Sequence, residues 1–136
     1  MSDSLATISS PLPSWQLWTG RVLSALPVLL MTMSGVMKLS HSTQVVEGFG
    51  KSGIVEGLIT PIGLIELACV VIYLVPTTAV LGAVLIVGYL GGAVLLHLRA
   101  GETAIALSPF LLGVFAWGGL WLRDPRLRAL LPLRRR

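Results

Sequence analysis

The chain has 136 residues, 54% of them apolar and only 12% charged, with a mean hydropathy of +0.87. A soluble domain carries about a quarter charged residues, so there is too little polar surface here to coat a water-soluble core. Net charge is +4, but six of the ten Lys and Arg follow Leu122. That segregation reports membrane orientation rather than a nucleic-acid footprint. The single cysteine, Cys69, excludes an internal disulfide and a C-x-x-C redox pair.

Residues 1–14 are polar, with Ser9, Ser10, Pro11 and Pro13, and read as a flexible lead. Trp15 and Trp18 suit the water–lipid boundary. Residues 22–37 carry no charge; at 1.5 Å per residue they cover about 24 Å, and flanking residues extend the run to a first span over 18–38. Pro27 is expected to bend this helix, which neighbouring helices can absorb. The lead has no basic residue near its start and no small-x-small site follows the run, which points to a retained helix rather than a cleaved signal. Residues 38–58 form the longest connection. Within it Val45, Val46 and Phe49 share one helical face, which predicts a short interfacial helix between the first two spans.

The second span covers 59–75, with Pro61 in its first turn, where the missing N–H costs least. Val75-Pro76 ends it. The third span, 77–97, is rich in Gly and Ala. Gly88 and Gly92 form a small-xxx-small pair with Gly91 beside them, a pattern that lets another helix approach closely, within the chain or in a homo-oligomer. The fourth span, 104–122, starts or kinks at Ser108-Pro109 and carries Trp117 and Trp121 at its far end. A basic tail, 123–136, follows. Four spans bring both ends to one side. That side holds Arg21 and all the arginines after Leu122, against Lys38, Lys51 and Arg99 opposite, so both termini are expected in the cytoplasm. The expected fold is all-α: a single-domain, four-transmembrane-helix bundle in the lipid bilayer, N-in/C-in.

Glu66 stands inside the second span, about 10 Å from its outer end. A carboxylate there is costly and is expected to face the bundle interior with a partner. Helical spacing puts Gly63, Glu66, Cys69 or Val70, and Tyr73 on one face, and Tyr89, Ala93 and His97 on one face of the third span. Lys38 shares its face with Ser34 and Gly35, and Arg99 belongs to the same half of the membrane. Lys38, Glu66, Tyr73, Tyr89, His97 and Arg99 are therefore the candidate ligand-binding residues of an outward-opening pocket. Gly63, Gly88, Gly91 and Gly92 are the candidate packing residues. Two readings of Glu66 stay open: a ligand site, or an ion pair with Lys38 or Arg99 that only knits helices together. His97 is likewise a ligand contact or a cap that favours the helix dipole. No ligand spacing links the two histidines, so no metal site is expected.

The order of motifs resembles one family. Gly35-Val36-Met37-Lys38-Leu39 is similar to the G-x-x-K-L of the DoxX-like family, and Gly63-Leu64-Ile65-Glu66-Leu67-Ala68 to its G-x-x-E-L-A. Val75-Pro76 and the run from Gly91-Gly92 to Gly101-Glu102 resemble later parts of the same pattern. The resemblance covers residues 20–121. It implies a compact four-helix protein of the bacterial cytoplasmic membrane, with Lys38, Glu66, His97 and Arg99 as its polar positions. The family takes its name from a subunit of a thiosulfate:quinone oxidoreductase, and relatives are associated with redox and oxidative-stress complexes. By that resemblance the expected role is an accessory or binding subunit that holds a quinone or another lipid-like molecule beside a membrane oxidoreductase. A structural, assembly or transport role is the alternative.

Overall fold

A computed structural model describes residues 11–131 of the chain. They form α1 (Ser14–Leu39), α2 (Thr43–Lys51), a 3-10 turn (Glu56–Leu58), α3 (Ile59–Leu74), α4 (Ala79–Arg99), α5 (Thr103–Arg123) and α6 (Pro125–Leu130). Four helices are long and apolar enough to cross a membrane: α1, α3 with its preceding turn, α4 and α5. The helix expected between the first two spans is α2. The first span reaches back to Ser14, so Trp15 and Trp18 belong to α1 itself. Most of the polar lead, residues 1–10, lies outside the described residues. The start of the basic tail is helical, because the Asp124 side chain accepts a hydrogen bond from the Arg126 N–H and caps α6.

Local chemistry sets the helix ends. Pro27 sits inside α1 without ending it, whereas Val75, which precedes Pro76, is extended (φ −79°, ψ 118°) and stops α3. α1, α2 and α4 end alike, with a left-handed residue just past the helix: His41 (φ 49°), Gly53 (φ 72°) and Gly101 (φ 79°). After α4, the Gly101 N–H bonds to Leu98 O (3.1 Å) and the Glu102 N–H to His97 O (2.8 Å). That is the paired closure of a Schellman motif. It folds the chain back so that Glu102 lies against His97.

The four spanning helices form a ring in which α1 packs on α3 and α5, and α4 packs on α3 and α5. The half that carries the chain ends is closely packed. A Cβ on Gly119 would lie 2.7 Å from Gly20 O, and one on Gly82 would collide with the Tyr73 backbone. Met31, Tyr73, Ala83, Ile86, Ala116 and Leu120 fill the centre there. The opposite half, where α1 and α4 end and α3 and α5 begin, is open.

Candidate functional site

Two glycines create the site. A Cβ at Gly63 on α3 would lie 2.9 Å from the Lys38 Cβ, and a Cβ at Gly35 on α1 would lie 2.7 Å from Leu67 Cγ. Both are positions where only the missing side chain lets α1 and α3 approach so closely. Each glycine precedes a charged residue by one helical turn, so the close crossing carries Lys38 and Glu66 into reach of each other. Lys38 Nζ donates to Glu66 Oε2 at 2.7 Å and also to Ser34 Oγ. Ser34 Oγ in turn donates to the same Oε2 at 3.3 Å. The pair is buried: Lys38 is 8% exposed and Glu66 2%. Desolvation of both ions offsets much of their attraction, so such a pair alone is weak evidence for stability. The Tyr89 hydroxyl on α4 lies against the same carboxylate.

Glu66 and Lys38 line a cleft of about 950 Å³ enclosed by all four spanning helices and roofed by α2. Its walls are mostly apolar, with Met31, Ile62, Leu90, Ala93, Leu112 and Phe115 among them. Tyr89 and His97 on α4 face the same cleft, as the helical spacing predicts. At the rim, His97 Nδ1 and Glu102 Oε2 are 2.8 Å apart. His41 Nε2 and Thr60 Oγ1 are 2.8 Å apart beside it, which ties the end of α1 to the start of α3.

Three sequence expectations need correction. Tyr73 does not reach the cleft. It is 2% exposed in the packed half, where its hydroxyl donates to Ala116 O (2.7 Å) and therefore accepts from Ser24 Oγ (2.8 Å). Arg99 is exposed and does not pair with Glu66; its guanidinium lies beside the loop at Gly53, 3.6 Å from where a Cβ on that glycine would stand. Gly88, Gly91 and Gly92 hold no helix crossing within the described residues, since a Cβ on any of them would meet nothing within 4 Å. Gly88 and Gly92 instead form a low wall of the cleft. Gly63, by contrast, packs as expected.

Sequence reasoning also passed over several cleft residues. Val45 and Phe49 of α2 turn toward the cleft, and their i, i+4 spacing was a signal for a helix that covers an apolar opening as much as for one that lies in the interface. The left-handed Gly101 was the signal that Glu102 would return to His97. Ser108 on α5 also lines the cleft, a place that its position before Pro109 does not signal.

The model of the DoxX-like family matches residues 22–119, a stretch that contains every cleft residue from Leu30 to Phe115. No curated protein and no solved structure matches the chain. With the family pattern covering most of the chain, and with its two glycine–charge motifs meeting at one crossing, this four-helix membrane protein belongs to the DoxX-like family.

Proposed function

We propose that the protein is a membrane binding subunit whose cleft holds a lipid-like small molecule with a polar head, a quinone being the class that fits best. The observation that carries this reading is the combination of about 950 Å³ of largely apolar space with one buried Lys38–Glu66 ion pair at its wall. Ligand sites are typically clefts of roughly 300–1,000 Å³ with apolar walls and a few placed polar groups. The Lys38 ammonium is a donor suited to a quinone carbonyl, Glu66 Oε1 an acceptor suited to a hydroxyl, and the aliphatic walls suit an isoprenoid or acyl tail. Family membership supports a place beside a membrane oxidoreductase or stress-response complex. The arginine-rich side of the bundle supports both termini in the cytoplasm of a bacterium, with the cleft open to the exterior.

Purification in mild detergent, solvent extraction and mass spectrometry of the bound small molecules test the reading. A quinone or comparable lipid should be recovered in near-stoichiometric amount and lost in Glu66→Gln. Recovery of no such molecule, with no thermal shift on adding quinones, rules the reading out. One observation favours the alternative: Lys38 and Glu66 satisfy each other directly across α1 and α3, as a purely structural pair would.

A further inference from the structure

We infer that the outer face between α4 and α5 is a binding site for one anionic phospholipid of the leaflet nearest the chain ends. A second cavity, about 620 Å³, lies there, distinct from the cleft and apolar throughout. On α5 it runs from Phe110 to Trp121, about 16 Å at the helical rise. A hydrocarbon core of about 30 Å makes that close to one leaflet, so the groove has the length of an acyl chain that enters from the Trp121 end. Gly91, Gly113 and Gly118 leave its floor without bulky side chains.

The mouth of the groove identifies the headgroup. Trp121 and Leu131 line it, and Trp121 Nε1 donates to Leu131 O (3.3 Å), which holds the chain after α6 against the groove. Arg128 lies over the Trp121 ring, 5.8 Å from its centroid. Its Nη1 is engaged by Gln16 Oε1 (3.0 Å), while among the described residues its buried Nε has no partner. Around it on the same end of the bundle stand Arg21, Arg123 and Arg126, and the only acid among the described residues there is Asp124, which is occupied in capping α6. A guanidinium stacked at the head of a leaflet-length apolar groove, within a surface of one sign, matches a lipid phosphate above an acyl chain. A zwitterionic lipid offers the same chains without the net charge.

Thermal unfolding of the full chain in detergent, with phosphatidylglycerol or phosphatidylcholine of identical chains added, tests this. Phosphatidylglycerol should raise Tm by several degrees and phosphatidylcholine should not. Arg128→Gln should remove the difference. Gly118→Leu, where a Cβ meets nothing within 4 Å, should remove it while leaving the lipid-free Tm in place. Equal stabilisation by both lipids overturns the proposal, and so does a phosphatidylglycerol effect that survives both substitutions. A dimer that forms through this face and is abolished by Gly118→Leu would overturn it as well, by making a second copy the occupant.

Discussion

Substituting Lys38 by Met should be far more damaging than its position at a helix end implies. The change leaves Glu66, 2% exposed, with neutral hydroxyl neighbours, Ser34 and Tyr89, in place of an ammonium at 2.7 Å. Removing one member of a buried ion pair costs about 3–5 kcal/mol, because the other charge stays buried without compensation. Glu66→Gln strands the Lys38 ammonium in the same way and should fall in the same range. The double variant Lys38→Met with Glu66→Gln strands neither charge, and replacement of a whole buried pair is often neutral. It should therefore recover most of the loss, so the coupling across the double-mutant cycle approaches the sum of the two single costs, about 5 kcal/mol or more. Reversible unfolding in mixed detergent–SDS micelles, followed by circular dichroism, measures all four corners. If each single change costs less than about 1 kcal/mol and the two simply add, the pair behaves as a solvent-exposed one and the packing argument for the Gly35–Gly63 crossing fails. The double variant also separates the functional readings: a folded protein that keeps its function assigns the pair a structural role only.

The glycines divide into two classes with opposite outcomes. Gly82→Ala forces α4 away from the Tyr73 backbone and should cost at least about 1–3 kcal/mol by overpacking. Gly88→Ala and Gly92→Ala enter open space and should be neutral or stabilising by up to about 1 kcal/mol; equal losses at all three positions would refute the distinction. Tyr73→Phe should lower stability by about 1–3 kcal/mol, since it leaves a buried Ala116 carbonyl and Ser24 hydroxyl without their shared partner. Ligand content in that variant should be unchanged, and a drop in ligand with intact folding would return Tyr73 to the site. For orientation, single cysteines introduced by Gly50→Cys and Arg126→Cys in a Cys69→Ala background separate the two sides. An impermeant maleimide on spheroplasts should label the first and spare the second, and the reverse pattern places the cleft on the cytoplasmic side.

The spans, the interfacial-type helix and the inward placing of Glu66 were legible because each has a one-dimensional signature: uncharged runs, an i, i+4 apolar pair, and a lone acid in an apolar helix. The choice of Lys38 over Arg99 as its partner came from the close crossing at Gly35 and Gly63. What escaped depends on depth or on neighbours. Tyr73 shares the Glu66 face but stands two turns, about 10 Å, farther along α3, where the ring is packed; helical phase carries no information about that. Arg99 follows His97 by two residues, which rotates it to the other side of α4, so membership of the same membrane half did not put it in the cleft. Gly88, Gly91 and Gly92 show that a small-xxx-small pattern marks missing side chains without saying whether a helix or an open space lies beside them. α6 escaped because its cap, Asp124, sits in an arginine-rich stretch that reads as a stop signal.

Occupancy of the cleft is tested most directly by the bound-molecule content of two space-filling variants. Gly92→Leu projects into the cleft that Glu66 lines, and Gly118→Leu projects into the outer groove. Mass spectrometry of extracts from equal amounts of folded protein should show the quinone or lipid-like molecule in the native chain and in Gly118→Leu, and its loss in Gly92→Leu. Setting aside the phospholipid of the outer groove, a quinone or other non-phospholipid molecule that persists in Gly92→Leu, or disappears only in Gly118→Leu, would contradict a ligand seated against the Lys38–Glu66 pair.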